Sequence, residues 1–152
     1  MSADPAGYAV ASLAPATQRE GLEWLLFFNP AQHVAQASIL AEIARLGHPR
    51  IVESRAGLTV QVGEVPCQTL FAFSRAESGD RPIALLVFRR ESHEELAIVH
   101  LAVAPQHSYS HRGGRGAALV LVEAVRRVAS SIAGIERIRL AYRNLSIRRA
   151  RF

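Results

Sequence analysis

Between Leu96 and Tyr142 the hydrophobic period changes twice, and that change limits what the chain can fold into. Leu96 to Val103 is an apolar run broken only by His100. A loop follows from Pro105, holding Gly113, Gly114 and Gly116 with Arg112 and Arg115 among them. It opens into a segment, about Gly116 to Ile132, where Leu121, Val125, Val128 and Ile132 stand four, three and four apart. That spacing draws one apolar stripe along a helix. Gly134 is a suitable stop. Ile138, Leu140 and Tyr142 then alternate with Arg139 and Ala141, the period of a strand. A strand–helix–strand unit of this length predicts two parallel strands in one sheet. Its glycine turn, at a helix start and flanked by arginines, has the local build of an anion site.

The remaining segments predict one α+β domain with a mixed sheet. Residues 1–17, rich in small residues and proline, read as a loose arm, with the domain over 18–152. Thr17 to Phe28 reads as a short helix ending before Asn29-Pro30, and Pro30 can open a second helix through Leu46. Leu58, Val60 and Val62 alternate with polar residues; Gln68–Ser74, Ile83–Phe88 and Leu96–Val103 are further strand-like runs. Together 58–103 predict an antiparallel meander of about four strands. Asn144 can cap a helix over the tail that ends at Phe152.

Charge is unevenly placed. All eighteen basic side chains are arginine. Residues 112–152 hold ten arginines against Glu123 and Glu136, a local +8, whereas 1–111 carry −3. Such a basic third suits a polyanionic partner: a phosphorylated cofactor, a nucleic acid or an acidic protein. Cys67 is the single cysteine, which excludes an internal disulfide and a cysteine-based metal site and fits a reducing cytoplasm. No apolar run approaches the roughly 20 residues of a membrane span.

Two phosphate loops fail on spacing. The nucleotide P-loop requires a lysine, and there is none. The dinucleotide turn G-x-G-x-x-G, started at Gly114 and Gly116, would need glycine where Leu119 stands, and it belongs to the first turn of a parallel sheet. A meander, a strand ending Leu101-Ala102-Val103-Ala104-Pro105, then a glycine turn, helix and strand instead resemble the GNAT superfamily of acyl-CoA-dependent N-acyltransferases. That family carries [QR]-x-x-G-x-[GA] around the coenzyme A pyrophosphate. Here His111-Arg112-Gly113-Gly114-Arg115-Gly116 is the best register: Gly114 and Gly116 match, and His111 stands where Gln or Arg is usual. Gln106 to Ser110 lengthen the loop by a few residues. The resemblance covers about Ile83 to Asn144.

The resemblance implies that acetyl-CoA or another acyl-CoA lies on His111–Gly116 and the helix start at Ala117, without a metal. Its pantetheine arm would run along the strand edge at Leu101, Ala102 and Val103. It also implies direct acyl transfer to a small-molecule or protein amine in a ternary complex. For the base, His100 is the one ionisable group inside an apolar strand, and imidazole titrates near neutrality. Glu94 and Glu95, at the start of that strand, are alternatives. The family's tyrosine acid would fall at Arg151, so Tyr142 and Tyr109 are the substitutes. Family members continue beyond this chain's last residue, which implies that the N-terminal half, or a second copy in a homodimer, completes the sheet. Two other classes stay open: a coenzyme-binding regulatory module without catalysis, and a basic nucleic-acid-binding domain using Arg137 to Arg151. The latter lacks the interleaved aromatics and signatures of such domains.

Overall fold

The computed structural model describes residues 2–3, 7–28, 46–77, 80–107, 116–140 and 145–148. Strands β1 (Ser2–Ala3) and β2 (Tyr8–Ala11) come first. A 3₁₀ turn at Ala16–Gln18 leads into helix α1 (Arg19–Glu23), which widens into a π turn at Trp24–Phe28. Strands β3 (Pro49–Ser54), β4 (Gly57–Val62), β5 (Gln68–Ser74), β6 (Pro82–Arg90) and β7 (Glu95–Val103) follow. Helix α2 (Ala117–Ser130) then precedes β8 (Arg137–Leu140) and β9 (Leu145–Arg148). One sheet takes the order β1-β2-β5-β6-β7-β8-β9, and β3 with β4 forms a separate hairpin. Every neighbouring pair is antiparallel except β7 and β8, which are parallel as the helical crossover predicts.

Strand β6 lies at the centre, and Ile83 to Phe88 are all buried. Such a continuous apolar run needs both faces of the sheet covered. Helix α2 covers one face: Leu121 and Val125 are fully buried, and the helix packs on β5, β6 and β7. On this side Val10 and Leu70 share a groove with Ala124 and Val128. Residues opposite one another in a ladder share a face, so the row Leu70–Leu86–Leu101 belongs to the α2 side. The next row, Thr69–Val87–His100, turns to the other side. There Thr69 Oγ1 accepts from Val60 N–H at 2.9 Å and donates to Val60 C=O at 3.1 Å, fastening the hairpin over the sheet. At the hairpin's tip Leu58 exchanges backbone bonds with Ala14. Gly57, at φ +143, lets that approach occur, since a Cβ there would stand 2.6 Å from the Ala14 carbonyl oxygen.

Several expectations change. Residues 1–17 are not a loose arm throughout: Tyr8–Ala11 is a sheet strand antiparallel to β5, and Tyr8 is fully buried. Tyr8 and Val10 alternate with alanines, which is strand period in a segment whose small residues suggested disorder. The meander has three strands, β5 to β7; β4 turns away and pairs with β3. Pro66, between β4 and β5, offers no N–H to a ladder, and the side chain of Thr69 replaces that ladder. The tail does not begin as a helix, because Leu145 and Ile147 pair with Leu140 and Ile138 in an antiparallel strand. Their alternation with Ser146 and Arg148 accounts for it. The helix expected over 30–46 lies outside the described residues except Leu46. Among the described residues no helix is long and apolar enough to cross a membrane.

Candidate functional site

The candidate site is built where β7 ends and α2 begins. Ala104 N–H donates to Ile83 C=O at 2.9 Å, fixing the strand's exit. Pro105–His107 then makes one 3₁₀ turn, with the His107 side chain buried. The loop residues His111, Arg112, Gly113, Gly114 and Arg115 lie outside the described residues, as do Tyr109 and Tyr142. Gly116 is the residue before α2, extended at φ −80, ψ 171. Any residue adopts those angles, so conformation alone does not call for glycine there. Gly116 offers no side-chain cap, and no acidic residue stands in the first turn of α2. The N–H groups that open a helix have no carbonyl partner inside it. Among the described residues this start, Gly116-Ala117 and onward, has no side-chain cap, and its local field is positive.

The parallel ladder between β7 and β8 runs from Glu95↔Arg137 to Ile98↔Leu140. Strand β7 continues past that last pair through Val99 to Val103. Leu101 and Val103 are half-buried, Ala102 is buried. Leu101 and Val103 face α2, whereas His100 and Ala102 face the opposite side.

An irregularity lies between Val87 and Phe88, where Phe88 pairs with Ile98 and Val87 with His100, leaving Val99 as an extra residue. A bulge of this kind re-aims the side chains beyond it. His100 accordingly falls on the opposite face from Ile98, although the two are two residues apart. It is 8 % exposed, and its Nε2 has no hydrogen-bond partner among the described residues. Burial in these surroundings penalises the charged ring and lowers its pKa to about 4. At neutral pH His100 is a neutral imidazole with an available ring nitrogen.

Glu95 is placed quite differently. Its carboxylate accepts from Arg139 Nε at 2.9 Å and from Arg137 Nε at 3.3 Å. Hydrogen bonding from Arg139, with help from Arg137, outweighs partial burial and holds its pKa below the usual carboxylate range. Arg139 also reaches Glu91, and Arg137 reaches Glu94, at 3.7 Å each. These groups form an ionic cluster at the start of β7. Glu95 is eight residues from Val103, roughly 26 Å along a strand, so the structure does not bring it to the loop end. His100 is three residues from Val103, roughly 10 Å. The Cys67 thiol contacts the carbonyl oxygens of Val62 and Val65 and lies far from α2 in the chain.

Sequence reasoning missed a second group at the same rim. His107, 2 % exposed, has Nδ1 3.2 Å from the Tyr8 hydroxyl and Nε2 2.5 Å from Glu77 Oε1. The ring satisfies both neighbours if Tyr8 O–H donates to Nδ1 and Nε2–H donates to the carboxylate. The link joins β2, the β5–β6 turn and the exit of β7. Its partners are far apart in sequence, so only the strand period around Tyr8 offered any signal. Among the described residues no group of His, Cys, Asp and Glu could hold a metal ion. No family model and no curated protein matches this chain.

Proposed function

We propose that the chain is a GNAT-like N-acyltransferase that binds acetyl-CoA or another acyl-CoA at the loop His111–Gly116 and the start of α2. The observation that carries this reading is that, among the described residues, the start of α2 has no side-chain cap and no carboxylate in its first turn, and β7 runs on past its last parallel pair with β8. The residues present suit a pyrophosphate: N–H donors opening a helix, with glycines that admit close approach and Arg112 and Arg115 for charge-assisted bonds. Main-chain groups of Leu101, Ala102 and Val103 would meet the pantetheine amides.

Bound acyl-CoA supplies a thioester whose carbonyl carbon an amine nitrogen attacks, breaking the C–S bond with release of the thiol. The amine must first lose its proton. His100 is the proposed acceptor, its Nε2 lacking a partner among the described residues, although burial makes it a weak base; Glu95 is already committed to two arginines. Tyr142 is the proposed proton donor to the leaving sulfur. A reducing cytoplasm suits this chemistry, and a homodimer is the proposed assembly.

A second reading, coenzyme binding without catalysis, is favoured by one observation: at 8 % exposed, His100 is scarcely open to an amine. Thiol release measured with acetyl-CoA and a panel of amines separates the two. We expect release, and a large fall in turnover for His100→Gln. Coenzyme binding without release would leave the silent module; binding of a duplex oligonucleotide alone would sink both.

A further inference from the structure

A cleft of about 560 Å³ opens on the hairpin side of the sheet, beside the turn that carries Glu77. Its walls include Leu13, Pro15 and Phe73, and its polar lining includes Arg75, Glu77 and Asp80. That volume suits a small organic molecule, and a mostly apolar wall with a few convergent polar groups is the usual build of such a site.

Glu77 differs from an ordinary surface carboxylate. One of its oxygens is held by the buried His107 ring, which the fully buried Tyr8 hydroxyl steadies from the far side. The Glu77 side chain is nevertheless 39 % exposed. A carboxylate fixed by a buried relay and open to a cleft is pre-organised, so a ligand need not pay to order it. Among the described lining residues Arg75 opposes Glu77 and Asp80, leaving carboxylates in excess by one. Arg81 lies over the Trp24 ring at 5.3 Å.

We infer that this cleft binds a small primary amine with an apolar body, its ammonium on Glu77 and Asp80 and its body along Phe73, Leu13 and Pro15. As the seat of the acyl acceptor it rests on the acyl-transfer reading above; as an amine site it does not. Glu77 is one imidazole ring away from the exit of β7, the strand along which the pantetheine arm is proposed to run.

The test is calorimetric titration of the full chain, without coenzyme, using 2-phenylethylamine and the similarly shaped anion 3-phenylpropionate. We expect the amine to bind and the anion not to. Glu77→Gln keeps an oxygen for His107 and should weaken the amine about tenfold, the loss of one modest charge contact. Asp80→Asn, at an exposed position, gives the same reading if the first variant fails to fold. Binding of the anion instead, no heat with the amine, or unchanged amine affinity in both variants would overturn the proposal. If acetyl-CoA fails to bind while the amine still depends on Glu77, the site stands and only its acceptor role is lost.

Discussion

His100 carries an energetic signature as well as a chemical one. Its folded-state pKa of about 4 lies below the ordinary 6.5. Between those values the unfolded chain takes up a proton that the folded chain does not. The stability linked to neutral His100 is thus complete above about pH 6.5 and is lost as pH falls towards 4. The loss is about 3 kcal/mol at one pH unit per 1.4 kcal/mol. Urea unfolding at pH 7 and pH 4.5 should show this drop, and His100→Leu should remove most of it; an equal drop in the variant would assign the effect elsewhere. Any kinetic limb due to His100 should likewise lie near pH 4, well below neutrality. The residue was legible as the one ionisable group in an apolar strand. Its neutrality was not, because the extra residue at Val99 turns it to a face that strict alternation would not give.

At the scale of elements, β8 is held to β7 partly by charge. Glu95 and Arg137 are register partners, and Arg139 reaches Glu95 and Glu91 from two residues further on. Glu95 has a lowered pKa, so its contribution is complete above the usual carboxylate range and fades as pH falls through the folded value below it. Glu95→Gln should cost about 1 kcal/mol, as for a partly exposed ion-pair network. It should also speed amide exchange in Arg137–Leu140. Unchanged exchange there would show that Ile138, fully buried, holds the strand alone. The parallel pair and α2 were readable because each has a long run of one period. Strands β2, β3 and β9 were not. Each is short, and alanine, charged residues and an asparagine cap obscure its alternation. Whether Leu58–Val62 joins the meander is settled by Thr69 and Pro66, which hydrophobic pattern ignores.

Across the whole molecule, the charge division read along the chain does not carry over as it stands, because Glu91, Glu94 and Glu95 of the acidic segment pair with Arg137 and Arg139 of the basic one. The start of α2 at Ala117 was legible, because the apolar period is local; the glycine turn before it lies outside the described residues. The Tyr8–His107–Glu77 link was illegible, since it joins residues 99 and 30 positions apart. The most direct measurement is acetyl-CoA titration of the wild-type chain and of Gly114→Glu, with thermal unfolding of both. We expect saturable binding to the wild type, weakened by added salt, and its loss in a variant that unfolds at the same temperature. No binding to the wild type, or equal binding to both, would contradict coenzyme recognition by this loop.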